Sequence, residues 1–140
     1  ARLDNIVGVK EATGKLDRIG HIRELTSPEF AIYSGDDATA CEAILRGANG
    51  DISVTANVAP AAMHAMCAAA LAGQRDKAME IDRQLAGLHK NLFLEANPIP
   101  VKWALAEMGR IQPGIRLPLT WFSAALQAPL REAMQQAGVL

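Results

Sequence analysis

The stretch Asn5-Ile-Val-Gly-Val-Lys10-Glu-Ala-Thr-Gly14 decides how the chain is read. Its β-branched run closes on one lysine and is then broken by Thr13-Gly14, which predicts a strand over 5–10, a loop and a helix start. In α/β proteins the loops that follow strands carry much of the reactive chemistry, so Lys10 is the first candidate for it. Read in isolation, a lysine at a strand end most often only marks where the strand meets water. The rest of the chain has to separate those two readings.

Outward from this stretch, Leu16, Ile19, Ile22 and Leu25 recur at helical spacing and predict a helix over 15–25. After Ser27-Pro28, Phe30-Ala-Ile-Tyr-Ser34 is again rich in strand formers. Gly35-Asp-Asp37 turns the chain and offers an aspartate as N-cap for a helix over 38–46 that stops at Gly47. A third strand is predicted over Asp51-Ile-Ser-Val-Thr55. It leads through Asn57-Val-Ala-Pro60 into an alanine-rich helix with Pro60 in its first turn and Gly73 at its end. From Gln74 onward no strand pattern remains: Ala78, Ile81, Leu85, Leu88 and Leu92 predict one helix, and two more are expected over 100–108 and 123–137.

The order βαβαβα with short loops implies a parallel sheet, because parallel neighbours need a crossover that a helix supplies. The fold class is therefore α/β, divided into βα units over 1–73 and a helical region over 74–140. Three strands cannot close a barrel, and as an open sheet they would leave two edges and much of one face uncovered. Part of an eight-stranded β/α barrel is the more natural reading, and its reactive groups would sit at the C-terminal strand ends. Lys10, the Gly35-Asp36-Asp37 turn and Ser53-Val-Thr55 all fall there.

With 140 residues, half of them hydrophobic, and a net charge of -1, the chain suits one ordinary domain and carries no basic patch for nucleic acid. Cys41 and Cys67 lie in helical segments at no metal-binding spacing, which fits free buried thiols in a reducing compartment. No apolar run approaches the roughly 20 residues of a membrane span, and the start lacks the pattern of a signal peptide. A cytoplasmic location is expected. Because the chain begins Ala1-Arg-Leu-Asp4 and enters a strand almost at once, it is also expected to be an internal piece of a longer protein.

Five segments together resemble the C-terminal half of the 4-hydroxy-tetrahydrodipicolinate synthase (dihydrodipicolinate synthase) family: Gly8-Val-Lys10-Glu-Ala-Thr-Gly14, Ser34-Gly-Asp-Asp-Ala38, Ile52-Ser-Val-Thr-Ala-Asn57, Asn97-Pro-Ile-Pro-Val-Lys102 and Arg116-Leu-Pro-Leu-Thr120. Each is weak alone, but they stand in the family's order over nearly the whole chain. Related pyruvate aldolases, of the N-acetylneuraminate lyase or keto-deoxy sugar acid type, share the strand-end lysine and form the alternative. The Gly-Asp-Asp turn and the Asn-Pro-Ile-Pro-Val-Lys segment favour the synthase. A non-catalytic assembly fragment is a further reading from a different class.

What the resemblance implies is part of a TIM barrel, followed by helices, in which Lys10 forms a Schiff base with pyruvate. A protonated imine is an electron sink: the methyl group of bound pyruvate loses a proton, and the enamine attacks aspartate semialdehyde. The product belongs to lysine and diaminopimelate biosynthesis, and no metal or organic cofactor is implied. A lysine near its ordinary pKa of about 10.4 is protonated at neutral pH, so the site has to lower that value by desolvation or a neighbouring cation. Apolar Ile6, Val7 and Val9 are expected to bury the strand around it.

By resemblance Gly35 and Ile52 line the pyruvate pocket through backbone groups. Asp36 either lies near the second substrate or is a plain turn and helix cap. Asn97 either reaches the site from the appended helices or marks a structural turn. The family's proton-shuttling tyrosine, paired threonines and substrate-binding arginine belong to its N-terminal half and are absent here, and Tyr33 sits at the wrong place in a strand to replace the tyrosine. That missing half is one implied partner, and a homo-oligomer, a tetramer by resemblance, is another.

His21, His64 and His89 match no metal-binding spacing and read as surface or helix-face residues. Gly47-Ala-Asn-Gly50 follows a helix and lacks the Gly-Lys-Ser/Thr ending of a phosphate loop, so it reads as a turn. Trp103 and Trp121 sit among apolar residues and proline, which favours core packing.

Overall fold

A computed structural model describes residues 3–140. Ala1 and Arg2, with the first half of the expectation built on the chain's start, lie outside them. Among the described residues, strand β1 (Gly8–Glu11), helix α1 (Asp17–Glu24), β2 (Ala31–Ser34), α2 (Asp37–Leu45) and β3 (Gly50–Asp51) alternate as the hydrophobic pattern requires. A 3₁₀ turn (Thr55–Asn57) leads to α3 (Pro60–Leu71), α4 (Arg75–Asn91), α5 (Ile99–Glu107) and α6 (Ala124–Gln136).

The strands form one parallel sheet in the order β1-β2-β3. Gly8, Val9, Lys10 and Glu11 pair in register with Ala31, Ile32, Tyr33 and Ser34, and the last two pair with Gly50 and Asp51. This is part of a β/α barrel followed by further helices. Gly8 permits the close approach of β1 to β2, since a β-carbon there would stand 2.7 Å from the Ala31 carbonyl oxygen.

The chain divides into two compact units: described residues up to Ser53 with His64–Glu80, and Val54–Met63 with Ile81–Leu140. In the first, α1 and α2 pack on the sheet, and Ile19, Ile32, Ala40, Cys41 and Ile44 fill the space between. In the second, Leu85, Leu88 and Leu92 of α4 are buried. Gly87 brings α4 close to α6, with Ala133 Cβ 3.1 Å from where a Gly87 β-carbon would stand. Trp103 and Phe122 meet at 5.5 Å between ring centroids, with the Arg131 guanidinium 5.1 Å from the centre of Trp103.

Several expectations need correction. The first strand begins three residues later than its apolar pattern, and the third begins at Gly50, one residue early, and ends at Asp51 before the chain turns into 3₁₀ geometry. Ile6, Val7 and Val9 do not bury β1: they are 47%, 71% and 37% exposed, because β1 is an edge strand with β2 as its one neighbour. Of the four apolar positions assigned to α1, Ile19 is buried while Leu25 is exposed. Trp121 is only half-buried. His89 is buried, not a surface residue.

Candidate active site

The period-two alternation of a strand places Lys10 and Glu11 on opposite faces of the sheet. On the side of Glu11 lie Ile32 and Ser34, both buried under the helices. On the side of Lys10 lie Tyr33, its partner in register, and Ile52, both exposed. Among the described residues no strand pairs with the outer edge of β1 or of β3.

Lys10 is exposed and stands one residue before the end of β1. Its aliphatic stem runs across Gly35: a β-carbon at Gly35 would come within 2.3 Å of Lys10 Cε and 2.9 Å of Lys10 Cγ. The Gly35 N–H donates to the Glu11 carbonyl at 2.9 Å, extending the parallel ladder past β2. Gly35 therefore joins Lys10 at one place, as a floor without a side chain. Tyr33 turns toward the other neighbour, its ring 3.4 Å from where a Gly50 β-carbon would be.

Ile52 follows β3 and keeps its backbone in the ladder, its N–H donating to the Ser34 carbonyl at 2.9 Å. Its side chain is 49% exposed on the open face. Asp36 is the N-cap residue of α2, as its position promised, but its carboxylate makes no capping bond to the helix backbone. Instead Oδ2 accepts the Thr39 hydroxyl at 2.6 Å and packs against Gly14, whose φ of +70° forms the turn after β1. Asn97 is exposed and belongs to the second unit, just before α5. Lys10, Gly35, Asp36 and Ile52 all belong to the first.

Two features escaped the sequence reading. The first is Glu11, whose side chain is 6% exposed and accepts the Thr13 N–H at 3.2 Å, the Thr13 hydroxyl at 2.9 Å and Arg18 Nε at 2.9 Å. Burial pushes its pKa up, but the hydrogen bonds from Thr13 and Arg18 together outweigh it and hold the carboxyl below the usual range. The Glu-x-Thr spacing is a visible signal for a side-chain-closed turn.

The second is a carboxyl pair behind the sheet. Asp37, in the first turn of α2, is 2% exposed, and Asp51 of β3 has both oxygens out of solvent. Desolvation first, and then the neighbouring Asp37, push Asp51 up to about 7, against the opposing pull of Ser34 and Lys10. Two ionised carboxylates offer each other no donor, whereas one proton on Asp51 makes a donor and an acceptor. Burial and the charges of Asp51 and Asp37 also push the Cys67 thiol up. These aspartates are 14 positions apart, so no local pattern announces them.

Among the described residues no group of three or more His, Cys, Asp or Glu could hold a metal ion, and no helix is long and apolar enough to cross a membrane.

Residues 1–137 match the model of the dihydrodipicolinate synthetase family. The chain is 63% identical to the 4-hydroxy-tetrahydrodipicolinate synthase of Methylococcus capsulatus and 61% identical to that of Alcanivorax borkumensis, in each case over all of this chain and 48% of the relative. Its backbone is similar to a crystal structure of the chloride-inhibited dihydrodipicolinate synthase of Acinetobacter baumannii complexed with pyruvate. That match has a TM-score of 0.95 and 50% identity over 99% of this chain and 48% of the other. The chain thus spans about half the length of the relatives it matches. A family model that covers all but the last three residues, together with the strand-end lysine on an open parallel sheet, shows that this chain belongs to the dihydrodipicolinate synthetase family.

Proposed function

We propose that the chain is the C-terminal, nucleophile-bearing half of a 4-hydroxy-tetrahydrodipicolinate synthase, with residues 1–73 as its last βα units and 74–140 as its helical region. The observation that carries this reading is the placement of Lys10 at the C-terminal end of a parallel strand, on the uncovered sheet face, with its stem on Gly35. The family match and the pyruvate complex of the Acinetobacter baumannii protein support it.

In this reading the neutral Lys10 amine adds to the ketone carbon of pyruvate and water leaves, giving a protonated imine. Loss of a methyl proton gives the enamine, whose carbon attacks the aldehyde of aspartate semialdehyde. The substrate's amino group then attacks the imine carbon, closes the ring and releases the Lys10 amine, so one water is lost overall. Gly35 and Ile52 bound the pyruvate pocket with backbone groups, and Asp36 borders the second substrate. The walls that desolvate the amine, and the acid/base groups, come from the missing half in a cytoplasmic homo-oligomer. Alone, the chain is inactive.

The test uses the enzyme containing both barrel halves. Borohydride in the presence of pyruvate should leave a reduced adduct on Lys10, and Lys10→Arg should abolish it, because a guanidinium stays protonated. An adduct mapped to Lys15, Lys90 or Lys102 would refute the assignment. Preference for N-acetylneuraminate or a keto-deoxy sugar acid over aspartate semialdehyde would move the reaction to another aldolase type.

A further inference from the structure

We propose that Glu11 is a positioning residue for the Lys10 nucleophile, a clamp that fixes the end of β1 so that the lysine stem stays on its Gly35 floor. The assignment rests on the functional reading of Lys10. Glu11 is the next residue in the chain and points to the opposite face, so it never meets the substrate side. Its carboxylate nevertheless takes three donors, the Thr13 N–H, the Thr13 hydroxyl and Arg18 Nε. Its carbonyl takes a fourth, the Gly35 N–H.

Burying a carboxylate is unfavourable unless it is paired and hydrogen-bonded, and here the partners come from three separate segments around the end of β1. Thr13 belongs to the loop leaving β1, Arg18 to α1, and Gly35 to the end of the neighbouring strand. A twist of the peptide between Lys10 and Glu11 would disturb all four bonds. The same peptide sets the direction of the Lys10 Cα–Cβ bond. A clamp on the helix side therefore controls a nucleophile on the open side.

The test uses the enzyme with both barrel halves and measures the rate at which borohydride traps the pyruvate adduct on Lys10, per folded molecule by circular dichroism. Glu11→Ala should slow trapping at saturating pyruvate roughly tenfold to 100-fold, as expected for misplacing a reacting group by about an ångström. The half-saturating pyruvate concentration should change less than about threefold, because ground-state contacts are kept. Thr13→Val removes one arm, leaves the ion pair and should slow trapping about threefold to tenfold, which keeps the test available if Glu11→Ala does not fold. Trapping at the unmutated rate in either folded variant would overturn the clamp and leave the functional reading standing. No adduct on Lys10 in the unmutated enzyme would overturn both.

Discussion

The stem of Lys10 lies where a side chain on Gly35 would have to be, with Lys10 Cε 2.3 Å from the position of a Gly35 β-carbon. Gly35 is not among the residues with positive φ, so its lack of a side chain serves contact and not backbone strain. Gly35→Ala should therefore displace a flexible lysine and press on Ala12, whose Cβ stands 2.8 Å from the added atom. The expected stability loss is about 1–3 kcal/mol, as for overpacking a filled site. Pyruvate adduct formation in the two-half enzyme should fall at least about tenfold. Calorimetry and borohydride trapping on the same preparation check both, and an unchanged adduct rate would show that the amine reaches its position by another path.

Stability should depend on the protonation of Asp51. Burial and the neighbouring Asp37 push its carboxyl up to about 7 in the folded chain, above the ordinary aspartate value of about 3.9, so between those values the folded state binds a proton that the unfolded state has released. This group's contribution is fully present below about pH 4, declines as pH rises and is lost above about pH 7. For a half-buried group the screened contribution is on the order of 1–2 kcal/mol. Asp51→Asn, whose amide can donate to Asp37 at any pH, should flatten this slope and raise the melting temperature at pH 8. Equal slopes in the two proteins would place the titration elsewhere.

Cys67 should react slowly. Its thiol is held above the ordinary value by burial and by the charges of Asp51 and Asp37, and the thiolate is the reacting form. Asp51→Asn removes one of those charges and should speed alkylation by iodoacetamide at pH 8 a few-fold, judged by mass spectrometry. A rate that does not change would mean that access alone limits the thiol.

His89 ties the second unit together. Its Nδ1 lies 2.9 Å from the Thr55 hydroxyl and its Nε2 3.5 Å from Asp82 Oδ1. The Thr55 hydroxyl can either donate to or accept from Nδ1, so this contact is a hydrogen bond in either ring tautomer. His89→Ala removes a buried side chain and this bond and should lower stability by about 2–4 kcal/mol in a urea titration. A loss under about 0.5 kcal/mol would mark the histidine as a bystander.

The isolated 140-residue chain should self-associate and fail to catalyse the condensation. Val7, Tyr33 and Ile52 are 71%, 38% and 49% exposed, and both outer strands have free edges. A missing acid/base group alone removes about 10²-fold to 10⁴-fold in rate. Sedimentation of the chain with and without the complementary half, followed by a condensation assay, tests this, and turnover by the monomeric chain would contradict it.

Helices were the most legible part of the sequence, because their signals are local. The Ala78 to Leu92 spacing, Pro60 at a first turn and Gly73 at an end all depend on neighbours within a turn or two, and α3 and α4 formed where those signals stand. The parallel βα order and the placement of Lys10 at a strand end were legible for the same reason, as was the Gly47–Gly50 turn. Burial and partnership were not. Apolar Ile6, Val7 and Val9 read as an interior strand, yet a barrel strand is buried only by what flanks it, and β1 has one neighbour. Neither the Asp37–Asp51 pair nor the His89–Thr55 bond could be read from spacing, since each joins positions distant in the chain. By itself the sequence determined the helices, the βα order and a lysine at a strand end. Tertiary structure decided which side chains lose water and which meet, because desolvation and charge coupling depend on separation in space, not along the chain.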